Sequence, residues 1–95
     1  MKNAEYRCND VKRICENKLQ IPFRSGKEFN GWFVLEGRRS ARITVPKGRK
    51  DIPPGTYRSM ARQLFLTVEQ FDLLLDCPLK YGEYIAILKY RQQGT

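Results

Sequence analysis

Eight basic side chains fall within one short stretch of this chain. Residues 38–62 hold eight Lys or Arg and one acid, so the net charge is 8 − 1 = +7, while the whole chain is +8. Positive charge concentrated on an ordered segment is the electrostatic footprint of a protein that binds nucleic-acid phosphates. The alternative is a solvated surface with a basic bias. The candidate phosphate contacts are Arg38, Arg39, Arg42, Lys47, Arg49, Lys50, Arg58 and Arg62.

A turn, a strand and a loop position the first six of these side chains, with Arg38 and Arg39 in the turn. In residues 41–45, Ile43 and Val45 alternate with Arg42 and Thr44, which predicts a strand with Arg42 on its open face. Pro46 ends the strand because it lacks an amide donor. Residues 47–50 then form a polar loop whose side chains can meet an anion.

A helix positions the last two candidate side chains, Arg58 and Arg62. The run Pro53-Pro54-Gly55 predicts a turn, with Thr56 as the N-cap of a helix over residues 57–64. Its apolar residues recur with helical spacing, which leaves Arg58 and Arg62 on the outer side. We expect Arg58 in the first turn, where free amides and the helix dipole favour an anion.

The stretch ITVP, a basic loop and PPGTYRSMARQLFLTVEQF resembles the HicA toxin family, small RNA-cleaving proteins of bacterial and archaeal toxin–antitoxin pairs. The resemblance covers about residues 9–75, and its most specific part is PGT-x-R-S-x-x-R-Q at residues 54–63. It implies an α+β fold of helix, three-stranded antiparallel sheet and helix, similar to a double-stranded-RNA-binding domain. It also implies RNA, double-stranded or structured, and a HicB-like antitoxin as partners. The chain would then form a single domain of residues 1–95, in which residues 79–95 extend beyond the resemblance.

The chain departs from this family at the catalytic residue. The family's ribonuclease activity depends on a His in a Gly-Ser-His motif at the second strand, and this chain has no His. Without gaps the position falls on Trp32, and with a gap on Glu28 or Asn30, none of which carries an imidazole. We therefore expect RNA binding without the family's catalysis. The alternatives are a ribonuclease that uses Lys47 or Glu28 for proton transfer, and a protein-interaction module.

The N-terminal half predicts a helix and three strands. Residues 9–18 read as a helix with Asn9 as N-cap, and Pro22 limits residues 21–24 to an edge strand. Asn30-Gly31 is a hairpin signal. The apolar run of residues 32–35 predicts a strand with both faces covered or one face meeting a partner. Residues 37–40 then predict a turn.

The C-terminal part predicts two more helices. Thr67 and Gln70 fit a capping box that opens a helix over residues 68–75. The preceding turn, where the family has Gly, falls near Phe65, so we expect a different turn there. Residues 79–91 favour a helix over a strand, and this tail could pack on the core or form a dimer contact.

Composition excludes several other classes. No apolar run approaches the roughly 20 residues of a membrane span, and the N-terminus lacks a signal-peptide core. The three cysteines lack metal-type spacing, so we expect them reduced and mostly buried in a cytoplasmic protein. Asp72 and Asp76 are one helical turn apart, which is a weak metal signal and more typical of a solvated face. We expect no metal or cofactor.

Overall fold

Three strands form one antiparallel sheet in the order in which they follow along the chain: β1 (Phe23–Ser25), β2 (Phe29–Leu35) and β3 (Arg38–Val45). The structure is a computed structural model that describes residues 1–48 and 51–93, with side chains to residue 91. This is the predicted α+β fold, in which helices flank a small sheet. The helices are α1 (Cys8–Lys18), α2 (Pro54–Gln63), α3 (Val68–Asp76) and α4 (Tyr81–Gln93).

The β2–β3 hairpin closes through a two-residue turn. Glu36 and Gly37 have φ angles of 53° and 78°, and positive φ at both positions is the requirement of a type I′ turn. The turn predicted over residues 37–40 is therefore wrong in extent. Arg38 already pairs with Leu35 in the ladder, because a type I′ turn needs no further residues to reverse the chain.

The predicted hairpin turn at Asn30-Gly31 is also wrong. Both residues lie inside β2, where Gly31 pairs with Ile43 on one side and Phe23 on the other. A Cβ on Gly31 would lie 2.4 Å from a side-chain carbon of Ile21 and 2.9 Å from the Phe23 ring. The glycine is therefore required because Ile21 packs against the strand backbone, and residues 26–28 connect β1 to β2 instead.

Two helices begin earlier than the sequence predicts. Pro53 is the N-cap of α2 and Pro54 its first residue, so Thr56 lies inside the helix and is not the cap. The fixed φ of proline suits the first helical position, where its missing amide costs nothing. Arg7, and not Asn9, is the N-cap of α1, and its amide donates to the Asp10 carboxylate at 2.9 Å.

The capping box of α3 is confirmed. The backbone amide of Gln70 donates to Thr67 Oγ1 at 3.1 Å, and the backbone amide of Thr67 donates to Gln70 Oε1 at 2.9 Å. Phe65, in the turn before it, has a φ of 61°. Phe65 therefore has the left-handed conformation that glycine adopts most easily, although a side chain makes that conformation costly.

One hydrophobic core lies beneath the inner face of the sheet. Phe33, Ile43 and Val45 are buried there against residues of all the described helices. Helix α4 joins this core: the buried Tyr84 ring stands edge-on to Phe33 with centroids 4.9 Å apart, and its hydroxyl donates to the Leu64 carbonyl at 3.0 Å. The C-terminal helix is thus confirmed and packs on the core.

Cys8 and Cys15 are buried and Cys77 is exposed, and all three are free thiols. Burial raises the pKa of Cys15 to about 12. Within residues 1–48 and 51–93, no helix is both long enough and apolar enough to cross a bilayer.

Candidate nucleic-acid interface

The outer face of the sheet, here called the open face, carries Arg39 and Arg42 of β3, whereas Arg38 lies opposite Leu35, which packs against the core. Residues directly opposite one another on paired strands point to the same face. Trp32 pairs with Arg42, and Val34 pairs with Arg39 beside a bulge at Phe33/Val34. The three strands contain no Asp or Glu, so no acidic strand residue neutralises this face.

Two guanidinium groups lie close to the Trp32 ring on the open face. The carbon at the centre of the Arg39 guanidinium is 5.1 Å from the Trp32 ring centroid, and that of Arg42 is 5.7 Å away. Cations within about 6 Å of an aromatic face are attracted to it. Trp32 is half-buried, yet it belongs neither to the core nor to the hydrophobic residues packed against it. Trp32 is thus an aromatic residue between two arginines of the open face.

Asn30 fixes the position of Arg42. Its Oδ1 accepts from Arg42 Nη2 at 3.0 Å and from Thr44 Oγ1 at 2.8 Å. The side-chain nitrogen of Asn30, Nδ2, has no hydrogen-bond partner among the described residues. Two donors of this amide therefore remain available on the open face.

Lys47 lies at the end of the sheet. Its Nζ donates to Ser25 Oγ at 2.7 Å and lies 5.0 Å from the Phe29 ring centroid. Lys12 of α1 approaches the same ring at 4.8 Å, but its ammonium also pairs with Glu16 at 3.0 Å. Both amines are therefore held beside one aromatic ring, and Lys47 is the one with no acidic partner in the described part of the chain.

Arg58 and Arg62 lie exposed on α2, one turn apart and opposite its buried residues, as predicted. The expectation that Arg58 lies in the first turn is wrong, because the helix begins at Pro54 and Arg58 is its fifth residue. Pro53 and Pro54 also lack amides, which leaves Gly55 and Thr56 as the donors at this helix start. The start of α2 is therefore a poorer anion site than the sequence predicts.

Helix α2 meets the outer edge of β3 directly. Gln63 Oε1 accepts from the Thr44 amide at 2.9 Å. A cleft of about 380 Å³ lies along this junction, and Glu28 and Ser59 are among its lining residues. The exposed side of α2 and the open face of the sheet thus adjoin along one edge of the molecule.

The candidate residues share one electrostatic property. The described ion pairs involve the N-terminal amine, Lys2, Lys12, Arg13 and Lys89. None of the candidate side chains within residues 1–48 and 51–91 forms an ion pair with a described acid, and all of them are exposed. Arg49 and Lys50 lie outside the described residues. The candidates within the described residues are Arg38, Arg39, Arg42, Lys47, Arg58 and Arg62.

The two aspartates of α3 have a different role from that predicted. Asp72 accepts from the buried Tyr57 hydroxyl at 2.5 Å and from the Lys2 amide at 3.0 Å, so it is not part of a solvated face. Asp76 accepts from the Tyr6 hydroxyl at 2.5 Å. This bond, helped by Lys2, lowers the pKa of Asp76, and it raises the pKa of Tyr6 to about 12. Across the described residues no group of three or more acidic, Cys or His side chains could hold a metal ion.

Sequence reasoning missed two contributors to the open face. Arg24 pairs with Asn30 and is exposed on that face. The alternation within Phe23-Arg24-Ser25 was the available signal, but three residues beside a proline are too few to fix a strand. For Trp32, sequence reasoning weighs only the position of a catalytic His and makes no use of the aromatic ring. Only the strand register, which pairs Trp32 with Arg42, shows that the Trp32 ring lies among the arginines of the open face.

Comparison of the chain with protein-family models, with curated proteins and with solved structures finds no match.

Proposed function

We propose that this chain is an RNA-binding protein of the HicA type that lacks His-dependent ribonuclease activity. The observation that supports it is the unpaired state of the candidate arginines and Lys47. They are exposed and have no acidic partner among the described residues, whereas six of the ten acids pair with basic groups elsewhere in the chain. Unpaired guanidinium groups are suited to phosphate oxygens, with which they form charge-assisted hydrogen bonds.

The arrangement favours contacts with more than one part of an RNA. Arg39 and Arg42 belong to β3 and Arg58 and Arg62 to α2, and the hydrogen bond from Thr44 to Gln63 joins these two elements. Double-stranded RNA is bound mainly through phosphates and shape, because its deep major groove hides the base edges. An affinity that depends more on shape than on sequence is the corresponding expectation.

A test compares two double variants with the same loss of charge. Arg58→Ala with Arg62→Ala removes two charges from the candidate surface, and Lys80→Ala with Arg91→Ala removes two exposed charges elsewhere. Retention of a labelled blunt RNA duplex is measured over a series of salt concentrations. Each phosphate contact contributes about −0.7 to −0.9 to the log–log salt slope. We expect the first variant to flatten the slope by the contribution of one or two contacts and the second to leave it near wild type.

Equal slopes for the wild type and both variants would show that this surface does not bind RNA. The double variant Arg49→Ala with Lys50→Ala extends the test to the loop, where the same flattening is expected.

Cleavage is scored separately on the same RNA. Positioned acid–base groups typically contribute about 10²- to 10⁴-fold to rate, so without an imidazole we expect no turnover above background. The second candidate, an active ribonuclease, is favoured by Glu28, which borders the cleft that also contains Ser59. Turnover that survives repurification and is lost in Glu28→Gln would establish that second function.

A further inference from the structure

The open face has the features of a surface on which a planar group can stack. Trp32 lies at its centre with two guanidinium planes beside it, at 5.1 and 5.7 Å from the ring centroid. A cleft of about 360 Å³ lies on this face. It is lined by sheet residues and the proline before β1: Pro22, Arg24, Asn30, Trp32, Val34 and Arg39.

The same cleft provides polar groups for a planar ligand that carries acceptors and a negative charge. The free amide nitrogen of Asn30 offers donors at its floor. Arg24 on β1 and Arg39 on β3 lie on the two sides of β2, and neither forms an ion pair with a described acid. An apolar partner would leave these guanidinium groups without counterions, and a phosphate alone would make no use of the Trp32 ring.

We propose that the open face binds an unpaired base of RNA together with its flanking phosphates. The base stacks on the Trp32 ring beside the Arg42 guanidinium, the side-chain amide of Asn30 donates to an acceptor of the base, and Arg24 and Arg39 bind the phosphates on either side. Unpaired bases stack on aromatic rings and guanidinium planes, whereas a closed duplex presents no base face to such a surface. The inference rests on the proposed RNA binding and names the structural feature that distinguishes preferred RNAs.

The chain contains a single tryptophan, so tryptophan emission, excited at a wavelength that tyrosine does not absorb, reports on the open face alone. Three probes are titrated: an RNA hairpin with an unpaired loop, a blunt duplex of the same stem, and polyglutamate. Filter retention is measured in parallel. We expect the hairpin to quench Trp32, the duplex to be retained without comparable quenching, and polyglutamate to have no effect.

The possible results separate the two proposals. A hairpin that is retained without quenching overturns the base-stacking inference and leaves RNA binding intact. Retention of neither RNA overturns RNA binding itself, and the inference with it. Quenching by polyglutamate equal to that by the hairpin would show that the face takes an acidic polypeptide, which also overturns the inference.

Variants at one position provide a second measurement. Stacking on an aromatic side chain is worth about 1–3 kcal/mol per base, which corresponds to about 5- to 150-fold in affinity. We expect Trp32→Ala to lose affinity for the hairpin within this range with little change for the duplex, and Trp32→Phe to retain part of it. Tyr90→Ala, at an exposed aromatic residue of α4, is the matched control.

An equal loss for hairpin and duplex in Trp32→Ala would contradict the inference. Circular dichroism of each variant confirms its fold, and the wild-type quenching measurement remains decisive if Trp32→Ala does not fold.

Discussion

The side chain of Gln63 accepts a hydrogen bond from the backbone amide of Thr44 at 2.9 Å. Thr44 lies in the edge strand β3, and Gln63 is the last residue of α2. The helix therefore satisfies a backbone donor that the sheet itself leaves unpaired. This bond fixes the position of α2, with Arg58 and Arg62, relative to the open face.

Gln63→Met keeps the length of the side chain but removes the acceptor. We expect the free energy of unfolding to fall by about 1–2 kcal/mol, because the partly buried Thr44 amide loses its partner. Urea unfolding followed by circular dichroism measures the change. Gln63→Glu retains an acceptor oxygen and is expected to lose less. Equal urea midpoints for Gln63→Met and the wild type would show that the bond contributes nothing.

Gly31→Ala tests why β2 contains a glycine. The added methyl group would overlap the Ile21 side chain at 2.4 Å, and overpacking of this kind typically costs about 1–3 kcal/mol. Thermal unfolding should show a lower Tm. Gly82→Ala is the control, since a Cβ at Gly82 meets no atom within 4 Å. If both variants unfold at the same temperature, the close packing of Ile21 is not a constraint.

Phe65 provides a test of backbone strain. Its φ of 61° is left-handed, a conformation that costs a residue with a Cβ about 1–2 kcal/mol. Phe65→Gly relieves this cost and Phe65→Ala does not, although both remove the same partly exposed ring. We expect the glycine variant to be the more stable by about 1 kcal/mol in urea unfolding. An alanine variant as stable as the glycine variant would argue against strain at this turn.

Asp76 should make stability depend on pH in the acidic range. Its hydrogen bond from Tyr6 and the nearby Lys2 ammonium lower its pKa in the folded state. The resulting stabilisation is fully present above the pKa of the unfolded chain, about 3.9, and is lost as the pH falls through the folded-state value. Urea midpoints should therefore fall more steeply below about pH 4 in the wild type than in Asp76→Asn. Tyr6→Phe should likewise weaken the dependence of the urea midpoint on pH. If both variants depend on pH as the wild type does, the Tyr6–Asp76 bond does not couple stability to pH.

Periodicity in the sequence predicts most of the fold. The alternation at Ile43 and Val45 identified a strand with a buried inner face, and the apolar stripe from Tyr57 to Leu64 identified α2. These patterns are local and follow directly from strand and helix geometry. The error at Asn30-Gly31 arose because the reason for the glycine is a packing contact with Ile21, ten residues away in sequence. A dipeptide preference contains no information about such a contact.

The candidate site is predicted only in part, for a similar reason. Charge density identified Arg39 and Arg42, since it requires no knowledge of register. The association of these residues with Trp32 and Arg24 depends on which residues of adjacent strands lie opposite one another. The run of residues 32–35 illustrates this: the structure buries Phe33 on the inner face and exposes Val34 on the open face, which the sequence alone left undecided.

The two-residue turn at Glu36-Gly37 has a consequence for the order of folding. Short-range hairpins form in about 1–10 μs, because closing a small loop costs little chain entropy. The bond from Tyr6 to Asp76 joins residues 70 positions apart and must wait for the chain to collapse. We therefore expect β2 and β3, with the basic open face, to assemble early, and the N-terminal segment to dock on α3 as a late step.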